Sequence, residues 1–361
     1  MSLISILKKY LKTFFLILII SIIFLEFIGL FVFNNGYYWE QRYMTMSPSP
    51  WVNEENGEKA FWKYKSLSTI RSIATYANFL GSHIEYDCKF KTNKYGFIDT
   101  GNIDNFANFI VLGDSFTEGQ GGCSWLDKNS ISNDNDIKNL KIINAGLGGI
   151  GILSFEQILH YFKKKIQIEN VIVIAISNDF KRGEPYTVDL ETECNKKMQC
   201  KNDYIFIRPI DVSNKILLSE AISRREERKS KMLDEIVSFS FTYKIFNSYK
   251  NIILDKLSKN KIKKNSTLEN AYKSNFDSLM RIRKLYPSMN VILVTQRDEV
   301  GFLGKKNYDS SYVESFLKSN SISYKWCHLT GNDFMPIDGH PNKNGYKKLF
   351  SCLKKTIFEM K

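Results

Sequence analysis

Four short runs of near-continuous apolar residues, FIVLG (109–113), KIINA (141–145), VIVIAIS (171–177) and NVILVTQ (290–296), constrain this 361-residue chain more than any other feature. A strand with one wet face alternates apolar and polar residues. These runs do not alternate, so each must be covered on both faces, as parallel strands between helices are. Longer stretches with helical spacing follow near 154–166, 268–286, 310–319 and 343–358, and SISYKWCHL (321–329) reads as a weaker fifth strand. The succession predicts an α/β fold around a parallel five-stranded sheet. A chain with 43% apolar, 25% charged and 14% aromatic residues is neither a disordered tail nor a collagen-like repeat.

A different constraint stands at the N-terminus. Residues 13–33, TFFLILIISIIFLEFIGLFVF, form a run interrupted only by Glu26. At about 1.5 Å per residue it just spans a hydrocarbon core. A carboxyl there costs about 2–3 kcal/mol on insertion scales, which the surrounding Phe, Leu and Ile offset. Lys8, Lys9 and Lys12 precede the run, and interfacial aromatics follow it. The positive-inside rule then expects a cytoplasmic segment 1–12, a transmembrane anchor 13–33 and everything later outside, in the periplasm or beyond the cell. A cleaved signal peptide is the rival, but no small-residue cleavage pattern follows the run.

Residues 34–107 read as an N-terminal extension and 108–361 as the main domain. Over a hundred residues separate the third and fourth strands, far more than a crossover requires, so about 200–265 is expected to be an insertion. It holds an added strand, DYIFIRPI (203–210), and helices. The formal charge is +13, from 51 Lys+Arg against 38 Asp+Glu. The basic residues are dispersed among acids and carry no zinc-finger or aromatic RNA-binding signature, which speaks against nucleic acid. Six cysteines without a C-x-x-C pair suit an oxidising compartment and argue against a structural zinc site. Cys194 and Cys200 are close enough to close a small loop. The remaining four allow several connectivities, of which Cys88 with Cys123 and Cys327 with Cys352 are the working choice.

Four segments carry chemistry. In FIVLGDSFTEGQGG a strand ends at Gly113 and presents Asp114 and Ser115 where α/β folds place reactive groups. The same residues also suit a plain helix cap, with Ser115 and Glu118 spaced as a capping box. In FMPIDGHPNKNGY, Asp338 and His340 flank Gly339. A serine hydroxyl is a weak nucleophile without a base, and a carboxylate fixes the tautomer of that base. An ordinary Asp-Gly turn explains the dipeptide equally well. NAGLGGIG (144–151) leaves backbone amides uncovered, and SND (177–179) ends a buried strand with an amide side chain. Both are donor types that an oxyanion hole uses.

Taken in order, these segments resemble the four blocks of the SGNH (GDSL-type) hydrolases, and membrane-anchored bacterial members in particular. GDSFTEGQG is similar to the first block, NAGLGG to the second, ISND to the third and DGHPNKNGY to the last. The resemblance implies a flavodoxin-like three-layer fold and an acyl-enzyme chemistry that needs no metal or organic cofactor. It implies Ser115 as nucleophile and His340 as base, with Asp338 orienting it. The oxyanion donors would be the Ser115 amide, the backbone of Gly149 (Gly148 or Gly146 if the register shifts) and the side chain of Asn178. Two departures stand out. Ile176 occupies the place of the usual glycine in G-x-N-D, and the carboxylate lies two residues before His340 rather than three. Some polysaccharide-acetylating proteins are similar to this shorter D-x-H form, so Asp338 is retained, with Asp333 as a substitute.

The activity so implied is an esterase acting on O-acyl groups of an envelope glycan or lipid. An O-acetyltransferase of a surface polysaccharide would use the same residues. A non-catalytic binding or assembly module that keeps the fold is the alternative from another class. His83, His160 and His328 lack the neighbours of a base and read as packed or surface residues. Asp114 and Asp179 read as turn-ordering carboxylates, with Asp179 able to support Ser115 by a hydrogen bond.

Overall fold

A computed structural model describes residues 3–32, 41–48, 51–53, 61–78, 81–182, 242, 250, 263–300, 308–336 and 338–360. The chain divides into two compact units, Met1–Tyr43 with Thr75–Ile84 and Ser219–Ile262, and Met44–Ala74 with Glu85–Leu218 and Lys263–Lys361.

In the first unit, helix α1 (Leu3–Val32) contains the apolar run. Its Tyr10–Ile28 stretch has a mean hydropathy of 2.5 and is long and apolar enough to cross a membrane. Its large side chains, such as Phe14, Ile23 and Phe24, are exposed. The interrupting acid is not left bare, because the Glu26 carboxylate accepts the backbone N–H of Thr242 at 2.9 Å.

Residues 41–91, which gave no clear pattern in sequence, hold five strands. They are β1 (Gln41–Ser47), β2 (Trp51–Asn53), β3 (Phe61–Lys63), β4 (Thr69–Asn78) and β5 (Gly81–Lys91). The order β1-β4-β5 makes one small sheet, and β2 pairs with β3. The proposed strand 203–210, the Cys194–Cys200 loop and most of the 200–265 insertion lie outside the described residues.

The second unit is built on β6 (Phe106–Gly113), β7 (Ile142–Gly146), β8 (Gln167–Ala175), β9 (Asn290–Val294) and β10 (Ser323–Cys327). All pair in parallel, in the order β10-β9-β8-β6-β7. Counted from β6, this is the 2-1-3-4-5 order of flavodoxin-like sheets, whose ligands sit beyond the carboxyl ends of the first and third strands. The fifth strand, at the edge of the sheet, is shorter than the expected 321–329, and its residues alternate in exposure.

Both faces of the sheet are covered, as the unbroken apolar runs require. Ile110, Leu112, Val171, Val173 and Leu293 pack beneath α4 (Ile152–Lys163), α5 (Lys263–Leu285) and α6 (Tyr308–Ser319). Phe109, Val111, Ile172, Ile174 and Val294 pack on the other side against α7 (Lys343–Met360), through Tyr346, Leu349, Leu353 and Ile357. The result is three layers with α2 (Ser115–Glu118) and α3 (Lys128–Ser132) at the upper edge.

Gly113 is what lets α2 turn so sharply off β6. A Cβ on it would lie 1.8 Å from Thr117 Oγ1 and 2.6 Å from the carbonyl of Ile174 on β8. Backbone on one side and a helix on the other leave no room to yield. Gly113→Ala is therefore expected to destabilise the fold by about 3 kcal/mol, the upper range for overpacking. Urea unfolding of the variant checks this, and a loss below about 1 kcal/mol would contradict the packing described.

Candidate active site

Ser115 opens α2 directly after β6 and is buried. The capping alternative is settled by the residue before it. Asp114 is the N-cap, its side chain accepting the Phe116 N–H at 2.9 Å. Ser115 is thus the first helical residue, and its hydroxyl is not consumed by the cap. Glu118 does not return to the helix start either, since its Oε1 accepts the Tyr64 hydroxyl. As the first residue of a helix, Ser115 also has an N–H without an intrahelical acceptor.

The C-terminal loop brings the imidazole to this hydroxyl. His340 Nε2 lies 2.7 Å from Ser115 Oγ, and Asp338 Oδ1 bonds His340 Nδ1. The same Oδ1 accepts the His340 backbone N–H at 3.2 Å. A carboxylate on Nδ1 selects the Nδ1–H tautomer, which leaves the Nε2 lone pair facing the serine proton. Asp338 is buried, and the His340 side chain is only 13% exposed. Arg297, just past β9, donates to the carbonyls of Asp338 (3.0 Å) and Pro336 (2.5 Å), fixing the loop from below.

Asp333 has a different task. Its Oδ2 accepts the Thr330 N–H and hydroxyl at 2.7 Å each and the Lys348 ammonium at 2.5 Å. It is bound to its own turn and to α7. Burial alone would raise its pKa, but these hydrogen bonds and Lys348 outweigh burial and hold it below the usual carboxylate value. A group depressed in the fold stabilises above its unfolded pKa, about 4 for Asp, and that contribution is lost as pH falls through the folded value. Asp333→Asn is expected to cost about 1–2 kcal/mol at pH 7 and much less at pH 3. Equal losses at the two pH values, measured by denaturant titration, would contradict the assignment.

The other two donor segments lie on either side of Ser115. Register pairs Gly113 with Gly146 of β7 and with Ile174 of β8, so the NAGLGG and SND loops leave the sheet beside the serine. Asn178 is partly exposed in a 3-10 turn, Ser177–Phe180, and its side-chain amide has no hydrogen-bond partner among the described residues. Gly149 has φ +78° and open space around it. Of the three candidate glycines, Gly148 is the one with Ser115 among its nearest neighbours, since a Cβ there would sit 3.6 Å from Ser115 Cβ and 3.0 Å from Glu118 Oε2. Gly146 is instead packed under the Glu118 backbone N, at 2.3 Å from such a Cβ.

The loop following α2 is pinned from four directions. Cys123 is joined to Cys88 of β5. Trp125 Nε1 donates to Phe116 O at 2.8 Å, and the Tyr346 hydroxyl donates to Gln120 O at 2.7 Å. Asn144, fully buried in β7, donates to Thr117 O and Leu126 O at 3.0 Å each. The working disulfide Cys327–Cys352 is also present, tying β10 to α7. Among the described residues no group of three His, Cys, Asp or Glu is placed to hold a metal ion.

The remaining histidines stand away from this chemistry. His160 is exposed on α4, 3.8 Å from Glu156, and His328, one residue past β10, stacks on Trp326. His83 lies within β5. Asp114 and Asp179 do order their turns, as expected, but they also share Arg182, whose Nη1 lies 3.1 Å from Asp114 Oδ2 and 2.7 Å from Asp179 Oδ1. Burial, and next the Asp114 carboxylate, push Asp179 well above the usual range against the pull of Arg182. Sequence reasoning passed over Arg182, Arg297 and Asn144. Only Asn144, a lone amide inside an apolar strand, carried a visible signal.

No known family profile and no curated protein matches the chain. Among solved structures it is similar to a carbohydrate esterase whose active site displays divergent catalytic and non-catalytic binding functions. That alignment has 12% identity and a TM-score of 0.35, covering 88% of this chain and 97% of the other. A carbohydrate esterase family 2 enzyme with a carbohydrate-binding domain from Corynascus thermopiles (Myceliophthora fergusii) aligns at 13% identity and a TM-score of 0.36, over 90% and 89%. An acetylxylan esterase from Geobacillus stearothermophilus aligns at 10% and 0.33, over 71% and 96%.

Proposed function

We propose that this chain is a serine esterase of the SGNH type, held at a membrane by α1 and acting on O-acyl groups of an envelope glycan or lipid. One observation carries the reading, namely the 2.7 Å approach of Ser115 Oγ to a His340 imidazole whose Nδ1 is bonded by Asp338. A hydroxyl, a base and a carboxylate so linked form the minimal set for acyl transfer.

In the proposed reaction Ser115 Oγ attacks the ester carbonyl while His340 Nε2 takes the hydroxyl proton. The tetrahedral oxyanion accepts hydrogen bonds from the Ser115 and Gly149 amides and from Asn178 Nδ2. Collapse breaks the ester C–O bond, and the imidazolium returns its proton to the leaving alcohol. Water, deprotonated by His340, then attacks the acyl-enzyme and releases the acid and Ser115. Preorganised donors of this kind contribute about 10²–10³ in rate each. The exposed apolar span of α1 and the net charge of +13 suit a site facing an anionic envelope polymer or lipid surface.

The reading is tested with the full chain in detergent. Release of acetate from an acetylated glycan is measured beside acetyl transfer to the unacetylated glycan. Net release dependent on Ser115 supports a hydrolase, and transfer exceeding release replaces it by an acyltransferase with the same nucleophile. Neither reaction, with no labelling by a serine-directed fluorophosphonate, would leave a non-catalytic module.

A further inference from the structure

Arg182 stands where the three loops around the nucleophile meet. Its Nη1 donates to Ile150 O at 2.6 Å, Asp179 Oδ1 at 2.7 Å and Asp114 Oδ2 at 3.1 Å. Each acceptor belongs to the immediate chain neighbour of one proposed oxyanion donor. Asp114 precedes Ser115, Ile150 follows Gly149 and Asp179 follows Asn178. One nitrogen carries two N–H groups, so three acceptors around it share them and are drawn to a common point. We infer that Arg182 is the positioning residue that sets the mutual spacing of the three oxyanion donors. The inference rests on the proposed esterase reading and deepens it.

The surroundings are built for such a clamp. Asn275 of α5, fully buried, donates from Nδ2 to the Arg182 carbonyl at 2.9 Å and accepts the Leu153 N–H on Oδ1 at 3.2 Å. The backbone of Arg182 is thereby fastened to the start of α4. Gly151 allows the close approach, because a Cβ there would meet Asp179 O at 2.6 Å and Arg182 Cβ at 2.9 Å. The neighbouring Lys181 is engaged elsewhere, with Asp309 of α6 at 2.5 Å, and Tyr272 donates to that same carboxylate. Among the described residues, Asp114 and Asp179 face the guanidinium, buried at 1% and 0% side-chain exposure.

Charge makes the clamp testable. Two buried carboxyl groups face one cation, and a neutral side chain at 182 would leave them either repelling each other or sharing a proton in place of the guanidinium, and both alter the spacing of the Ser115 and Asn178 loops. Removing one carboxylate as well should relieve that repulsion. A guanidinium is also better suited than an ammonium, since it stays charged and its planar donors hold fixed directions.

The experiment compares the wild-type full chain with Arg182→Lys, Arg182→Met and Arg182→Met/Asp179→Asn, using hydrolysis of p-nitrophenyl acetate and the rate of fluorophosphonate labelling. Arg182→Met should lower kcat about 10²-fold with KM changed less than about threefold, and slow labelling in parallel. The lysine variant should fall between. The double variant should regain about tenfold over Arg182→Met, a recovery that lost packing alone does not give. Should Arg182→Met be too unstable to assay, the lysine and double variants carry the same comparison. A folded Arg182→Met within about threefold of wild type in kcat, or a double variant no faster than the single, overturns the inference. A wild type that neither hydrolyses nor labels overturns the esterase reading and this role with it, whereas an active wild type matched by Arg182→Met overturns the clamp alone.

Discussion

Ser115→Ala is expected to lower turnover of an acetyl ester by about 10⁴- to 10⁶-fold and to abolish covalent labelling by a fluorophosphonate. The size follows from the chemistry, because without the hydroxyl no acyl-enzyme forms and only the bound geometry and the oxyanion donors remain. The fold should hardly notice. Ser115 makes one bond to His340 and a longer one, 3.4 Å, to Asp114, whereas the cap of α2 belongs to Asp114. A melting temperature within a few degrees of wild type is therefore expected beside the lost activity. Labelling that persists in Ser115→Ala would place the nucleophile elsewhere and remove the proposal.

The second large effect concerns Asp338. Its Oδ1 serves both the backbone N–H and Nδ1 of His340, so it holds the ring and would offset the imidazolium charge formed as Ser115 is deprotonated. Asp338→Asn keeps an oxygen acceptor but removes the charge, and an amide turned the other way would impose the wrong tautomer. A loss of about 10³- to 10⁴-fold in kcat is expected, with KM changed little. Asp333→Asn, five residues earlier in the chain, should leave kcat within about tenfold, since Asp333 is bound to Thr330 and Lys348. If Asp333→Asn caused the larger loss, the assignment of Asp338 would be reversed.

The parallel sheet was legible because burial on both faces leaves no room for polar alternation. Val171–Ala175 and Val291–Val294 contain no polar residue, and all are buried. The small sheet over 41–91 was not legible for the opposite reason. Strand β4 places Arg71 beside Ile70, and Arg71 bonds Asp87 of β5 at 2.7 Å, so polar cross-strand pairs break up the pattern. The segments that bring Ser115 and His340 together were readable because residues at strand ends stand in short motifs. Arg182 was not. It follows Asn178 in the run NDFKR, and its importance lies in distances to Asp114 and Ile150 that no local pattern encodes. Gly148 illustrates a finer limit. Sequence offered three glycines for one role, and only the packing separates them, with Gly146 against the backbone of α2, Gly148 beside Ser115 and Gly149 in open space.

His340 lies 225 positions after Ser115, in the loop before α7. Translation therefore delivers the serine, both flanking donor loops and the whole intervening stretch before the imidazole leaves the ribosome. Until then the nascent chain carries the Ser115 hydroxyl without the His340 imidazole beside it. On the proposed chemistry, reactivity would switch on only once α7 docks and draws the loop before it over the sheet. Polypeptides cut short ahead of Asp338 would remain inert passengers.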